Sequence, residues 1–167
     1  MPEKETLERA HEDEREGKSP STQAGEFVKE EMDHIREGKH GARSTKQAIA
    51  IGLSKARRAG VKLPPPKKGA QSAATRQKAE RDLSKGRRRP AKKKSAKRSR
   101  AVEGALKREG HSAASHASLS KQARQSARKR GSAARKQAAR KAVRTKGPAE
   151  LRQAARKAAH TRQRRAA

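Results

Sequence analysis

Large apolar side chains are so scarce in this 167-residue chain that only one short region can build a conventional core. The chain carries 47 Lys and Arg residues against 17 Asp and Glu residues, and Phe27 is its single aromatic residue. A composition of this kind buries too little surface to offset the entropy lost when the chain is ordered. It therefore predicts a mainly α fold with extensive disorder, in which a small N-terminal helical hairpin precedes a basic, conditionally helical tail.

The hairpin is predicted from two amphipathic segments joined by a glycine-containing turn. A first segment, about residues 22–37, and a second, about residues 45–59, both repeat apolar residues at helical spacing. The predicted hairpin core consists of Phe27, Val28, Met32, Ile35, Ile49, Leu53 and Ala56. A two-helix core of this size is marginal, so we expect it to be completed by homodimerisation through the hairpin.

The second predicted helix has clear end signals. Ser44 and Gln47 have the spacing of a capping box, and Gly60 is placed to adopt the left-handed conformation that ends many helices. Gly52 lies in the helix interior, where glycine costs about 1 kcal/mol relative to alanine. Its presence on the apolar face predicts that a neighbouring helix packs closely there.

Charge and composition divide the chain into four predicted regions. Residues 1–37 carry a net charge of −6, whereas residues 38–167 carry a net charge of +36. An asymmetry of this kind indicates an acidic arm and a basic region that binds polyanions. The predicted regions are an acidic arm (1–18), the helical hairpin (19–63), a basic Pro/Lys/Arg linker (64–100) and an Ala/Arg/Lys-rich helical or disordered tail (101–167).

The C-terminal region is rich in strong helix formers but has almost no large apolar residues. Breaks are expected near Gly110, Gly131 and Gly147-Pro148, with Pro148 as a first helical residue. Helices are therefore predicted near residues 100–109, 113–130, 132–146 and 148–165. Like charges four residues apart weaken such helices, so we expect them to gain stability on a polyanion. A loose repetition of composition runs through this region.

No pattern of catalytic or metal-binding residues stands out in the sequence. The six histidines are scattered, and we expect all of them to be solvent-exposed: His11, His34, His40, His111, His116 and His160. Glu30, Glu31, Asp33 and Glu37 are predicted to form a solvated helix face. The expectation is a protein that is not an enzyme and that uses no cofactor and no metal.

The basic region points to nucleic acid. Duplex DNA carries one negative charge per about 1.7 Å, and cations that neutralise its phosphates release counterions. The basic region lacks the aromatic residues that stack on single strands, and the chain contains no Asn for reading adenine. These features predict sequence-independent binding to duplex DNA. The predicted binding residues are Arg87, Arg88, Arg89, Lys92, Lys93, Lys94, Lys97, Arg98, Arg100, Arg124, Arg128, Lys129, Arg130, Arg135, Lys136, Arg140, Lys141, Arg144, Arg152, Arg156 and Lys157.

One part of the chain resembles a known family. The sequence KHGARSTKQAIAIGLSKARRAG, within residues 25–69, resembles an uncharacterised bacterial family whose members are often labelled plasmid stabilisation proteins. The later sequence SAASHASLSKQARQSARKRG is similar to the basic tails of such members, and the Lys/Ala/Pro block resembles linker-histone tails. The resemblance implies a bacterial cytoplasmic protein and brings no site residues with it.

Together these features predict a non-enzymatic, histone-like protein of the nucleoid or of plasmids. The acidic N-terminus lacks an apolar signal, and no apolar run approaches the length of a membrane span, which favours the cytoplasm. Two alternatives stay open: an RNA- or ribosome-associated basic protein, and a protein-interaction module in plasmid maintenance or the stress response. Competition between duplex DNA and structured RNA distinguishes the first from DNA binding, and partner capture by residues 19–63 favours the second.

Overall fold

The computed structural model of the protein describes residues 2–87 and 95–166, and its contacts divide the chain into two units. The first unit is Met1–Gln122 and the second is Ala123–Ala167. The helices are α1 (Lys4–Arg15), α2 (Pro20–Arg36), α3 (Thr45–Ala59), α4 (Ala73–Arg87), α5 (Ala96–Lys107) and α6 (His116–Ala166), with a 3-10 turn at Ser112–Ala114. The predicted divisions after residues 18, 63 and 100 all fall inside the first unit.

The prediction of a mainly α protein is confirmed, whereas the prediction of extensive disorder is wrong. In the described part of the predicted linker, α4 and α5 are well-ordered helices. The described part of the predicted tail is almost entirely helical. The physical reason is that Ala, Arg, Lys and Gln have strong helix propensity, which favours helices even where hydrophobicity is low.

Helices α2 and α3 form the predicted hairpin, and its local signals act as expected. The Ser44 hydroxyl accepts a hydrogen bond from the Gln47 backbone N–H at 3.3 Å. The Gln47 side chain accepts from the Arg43 N–H at 3.0 Å, one residue before the partner that the capping box predicts. Gly60 is left-handed, with a φ of 109°. A Cβ at Gly52 would lie 2.7 Å from the Val28 Cα, which confirms the predicted close approach.

The predicted core residues are distributed over two clusters. Phe27 and Ala56 are buried with Ala10 of α1 and Ala24 of α2. Met32 and Ile35 are buried with alanines of the hairpin loop, of α3 and of the 3-10 turn (Ala42, Ala48, Ala113, Ala114). The predicted core residues are completely buried (Phe27, Ile35, Ala56), nearly so (Met32) or partly buried (Val28, Ile49, Leu53). The hairpin therefore contributes to both clusters but completes neither alone.

Segments of the same chain cover the faces that the hairpin leaves open. Helix α1 packs on α2, α4 packs on α3, and the 3-10 turn contacts both hairpin helices. Ala113 and Ala114 of that turn are buried, and the Thr45 hydroxyl donates a hydrogen bond to the Ala113 carbonyl at 2.6 Å. These contacts give the first unit a larger core than two helices could form.

Helix α4 is held against α3 by close backbone packing and by charge. A Cβ at Gly86 would lie 2.1 Å from the Arg57 carbonyl oxygen, so only glycine permits this approach. The buried Asp82 accepts a hydrogen bond from the Ser54 hydroxyl and pairs with Arg58, whose Nε lies 3.5 Å from its carboxylate.

The loop after α2 docks through its backbone on the last turn of α5 and on the residues that follow it. The Gly41 N–H donates to the Leu106 carbonyl at 2.9 Å, and the Ala42 N–H donates to the Gly110 carbonyl at 3.1 Å. A Cβ at Gly41 would lie only 1.9 Å from the Glu109 carbonyl oxygen. Glycine is therefore required for this pair of hydrogen bonds to form.

Substitution of Gly41 by alanine is expected to loosen residues 106–119 while leaving the α2–α3 contact intact. Because the clash is with backbone, the segment must move away and lose its hydrogen bonds. Amide hydrogen exchange in residues 106–119 should accelerate by roughly tenfold. The control is Gly110→Ala, where a Cβ meets open space. Equal exchange in both variants would contradict the docking described above.

Candidate nucleic-acid interface

The second unit consists of helical segments separated at two glycines. Gly131 has φ 73° and ψ 172°, and Gly147 has φ 73° and ψ 167°, which are conformations that favour glycine. The predicted breaks at both positions are confirmed, and Pro148 directly follows the second one. The break near Gly110 is also confirmed, because α5 ends at Lys107.

The two breaks coincide with a sequence repeat of fixed spacing, which is more regular than the predicted loose repetition of composition. The hexapeptide QAARKA occupies residues 137–142 and recurs at 153–158, sixteen residues later. Gly131 and Gly147 are separated by the same sixteen residues. Each copy thus begins six residues after a glycine break and carries an adjacent Arg-Lys pair at the same place in its helical segment. Aligning the chain on its glycines would have revealed this repeat.

Exposed cations cover these helices. The second unit contains sixteen Lys and Arg residues and one acidic residue, Glu150. The predicted binding residues in this unit are all exposed: Arg124, Arg128, Lys129, Arg130, Arg135, Lys136, Arg140, Lys141, Arg144, Arg152, Arg156 and Lys157. Within the part of the unit that the structure describes, no ion pair neutralises them. The Arg135 Nε donates a hydrogen bond to the Gly131 carbonyl at 3.2 Å.

The density of this charge is a little under half that of duplex DNA. The segment 132–146 contains six cations, and at a rise of 1.5 Å per residue it is about 22 Å long. It therefore presents one positive charge per about 4 Å, against one phosphate per about 1.7 Å of duplex. The six cations of this segment match at most about half of the phosphates along the same length of duplex.

The remaining predicted binding residues belong to the first unit or lie outside the described residues. Arg87 ends α4, and Lys97, Arg98 and Arg100 lie on α5; all four are exposed. Arg88, Arg89, Lys92, Lys93 and Lys94 lie outside the described residues.

Many charges of the first unit are engaged with one another. The Lys55 Nζ lies 3.1 Å from the Glu30 Oε1 and 2.7 Å from the Glu31 Oε2, and both glutamates are buried. Burial alone would raise the pKa of Glu30, but the Lys55 ammonium and the Glu3 N–H hold it below its ordinary value. The prediction that Glu30 and Glu31 form a solvated face is wrong, because α1 and α3 cover them.

Two histidines also depart from the predicted exposure. The side chains of His34 and His40 are only 14% and 15% exposed, and their rings meet edge to face at 5.9 Å. The His34 Nε2 lies 2.8 Å from the Glu3 Oε1, and the His40 Nε2 lies 3.3 Å from the Glu31 Oε1. Only the tertiary structure unites these groups, since His40 follows the end of α2. The other four histidines are exposed as predicted: His11, His111, His116 and His160.

Comparison with known proteins gives a match to one family model. Residues 17–68, just under a third of the chain, match the model of a family of unknown function, DUF6496. The matched region contains the α2–α3 hairpin and the proline-rich stretch that follows it. No curated protein and no solved structure matches the chain. The resemblances to plasmid stabilisation proteins and to linker-histone tails stay predictions.

None of the helices in the described ranges combines the length and the apolar character needed to cross a bilayer.

Proposed function

We propose that this protein binds duplex DNA without sequence preference and has no enzymatic activity. The observation that carries the proposal is the ratio of sixteen cations to one acid in the second unit, with the predicted binding residues exposed and free of ion pairs in its described part. Unneutralised like charges repel one another within each helix and between helices. A polyanion removes this repulsion and releases its own counterions in the process.

Duplex DNA suits this surface better than a single strand does. An α-helix is narrow enough for the major groove, and the segment 132–146 spans about 22 Å, or roughly six base pairs. Seventeen arginines against twelve lysines in residues 85–167 favour bidentate phosphate contacts. The second unit contains no aromatic side chain on which unpaired bases could stack.

The glycine breaks support binding along a curved or irregular path. Each break allows one cationic segment to change direction relative to the next, so successive segments can follow the phosphate backbone. Because the QAARKA copies present the same cation pair, they act as two linked sites of one kind, which raises the overall affinity. This arrangement fits a histone-like protein of the bacterial nucleoid or of plasmids, acting in the cytoplasm.

A salt titration tests the proposal with the full-length protein. Binding to two unrelated duplexes of equal length should give the same affinity, and log Kd should rise steeply and linearly with log salt concentration. A structured RNA of equal charge serves as competitor. Preference for one duplex would contradict sequence-independent binding, and preference for the RNA would favour the alternative of an RNA- or ribosome-associated protein.

A further inference from the structure

The strongest unassigned feature is the group of Glu31, His34 and His40 in the first unit. Each of these residues offers one ligand atom, and the three atoms lie within 4.8 Å of one another. Two imidazoles and one carboxylate are a donor set that suits zinc and similar divalent transition metals. The group is independent of the basic helices that carry the proposed DNA binding.

The hydrogen bonds of His40 leave a lone pair facing a carboxylate. The His40 Nδ1 lies 3.2 Å from the Gly41 carbonyl oxygen, which can only accept, so we assign the proton to Nδ1. In the neutral ring the Nε2 is then an acceptor, yet it lies 3.3 Å from the Glu31 Oε1, which is another acceptor. Two acceptors at this distance are favourable only when a proton or a metal cation lies between them.

The Glu31 carboxylate is itself short of hydrogen-bond donors. Both of its oxygens are inaccessible to solvent, and no donor reaches either one with hydrogen-bond geometry. The Lys55 Nζ lies 2.7 Å from the Oε2 and pairs with it by charge, but that ammonium is shared with Glu30. The Oε1 is therefore the oxygen that lacks a cation of its own.

The surroundings of His34 resemble those of a metal ligand. The Glu3 carboxylate accepts a hydrogen bond from the His34 Nε2 at 2.8 Å, just as the Gly41 carbonyl accepts from His40. Metal-binding histidines usually donate their second ring nitrogen to a carboxylate or a carbonyl, which orients the ring. Both histidines thus have an orienting partner of the expected kind.

We propose that Glu31, His34 and His40 bind one divalent transition-metal ion, for which Zn²⁺ is the best match. Ligand atoms around tetrahedral zinc stand about 3.3 Å apart, so small side-chain rotations suffice to close the site. The ion would join α2 to the loop that docks on residues 106–110. Although the whole chain is cationic, residues 1–37 carry a net charge of −6, and this attracts a cation locally.

Titration of the metal-free, full-length protein with Zn²⁺, measured by calorimetry, tests the proposal. A parallel titration with Co²⁺ is measured by visible absorption. We expect one equivalent to bind, a tetrahedral Co²⁺ spectrum, and a rise in the melting temperature. His34→Gln and His40→Gln should each weaken binding at least about tenfold. His116→Gln and His160→Gln are the matched controls, because both histidines are exposed on α6, and they should bind like the wild type.

A further variant distinguishes loss of a metal ligand from loss of folding as the cause of weaker Zn²⁺ binding. Lys55→Met removes the cation that competes for Glu31, so Zn²⁺ should bind roughly tenfold more tightly although the metal-free protein is less stable. Circular dichroism checks that each variant keeps its helices. Absence of Zn²⁺ binding to the wild type, equal binding by the His40→Gln and His160→Gln variants, or weaker binding by Lys55→Met would each overturn the proposal. The outcome of the Zn²⁺ titration does not affect the test of DNA binding by salt titration.

Discussion

Replacement of Arg140, Lys141, Arg156 and Lys157 together by glutamine is expected to weaken binding to duplex DNA by about 100-fold at physiological salt. These residues are the paired cations of the two QAARKA copies, and all four are exposed. Glutamine keeps helix propensity, so the loss should come from charge alone. The slope of log K against log salt should become shallower by about 3.6, since each lost phosphate contact contributes about 0.9. Fluorescence anisotropy with a labelled duplex measures both quantities.

The matched control removes the same charge from the first unit. Lys4, Arg15, Lys29 and Lys46 are exposed and lie outside every ion pair found there, and their joint replacement by glutamine also lowers the net charge by four. We expect this control to bind DNA within a few-fold of the wild type. Equal weakening in both variants would mean that affinity depends on the net charge of the protein and not on a particular surface. If neither variant binds more weakly, the four cations of the second unit do not contact DNA.

Substitution of Gly52 by alanine is expected to destabilise the protein by about 3 kcal/mol, the upper end of the range for overpacked cores. A Cβ there would lie 2.7 Å from the Val28 Cα and 3.0 Å from the Phe27 carbonyl oxygen. Because both atoms belong to the backbone of α2, the whole helix must shift. The gain of about 1 kcal/mol in helix propensity is too small to compensate. Urea unfolding followed by circular dichroism measures the change.

Gly25→Ala is the control that isolates packing from propensity. Gly25 also lies inside a hairpin helix, but a Cβ there would meet nothing within 4 Å. The same substitution should therefore stabilise the protein, by up to about 1 kcal/mol. We therefore expect the two substitutions to change the free energy of unfolding in opposite directions. If Gly52→Ala also stabilises the protein, the two hairpin helices do not approach each other at this position.

Several features of the fold could be predicted from short stretches of sequence. The second helix was predicted at about residues 45–59 and is observed at Thr45–Ala59, with the predicted cap at Ser44 and the predicted end at Gly60. The breaks at Gly131 and Gly147 were predicted in the same way. Signals of this kind depend on residues a few positions apart, so the local sequence contains all of the information.

The packing of the first unit could not be predicted, because its contacts leave little trace in hydrophobicity. Ala113 and Ala114 are buried although their neighbours in sequence are polar, and the hydrogen bond of Gly41 to Leu106 involves only backbone atoms. Alanine and glycine give no periodic apolar pattern, and their burial depends on segments more than sixty residues away. The sequence was therefore interpreted as an isolated hairpin where α1, α4 and the 3-10 turn complete the core.

The cationic surface and the proposed metal site also differ in how far the sequence predicts them. The cationic surface of the second unit follows from composition, because helical segments that together hold sixteen cations and one acid must expose their charges whatever their environment. The group of Glu31, His34 and His40 does not follow from spacing, because a turn after α2 and the burial of one carboxylate bring it together. Charge, both ends of α3 and the two glycine breaks were determined by the sequence alone, since they depend on residue type and near neighbours. The tertiary structure alone decided which charges are buried and paired, since that depends on long-range backbone packing.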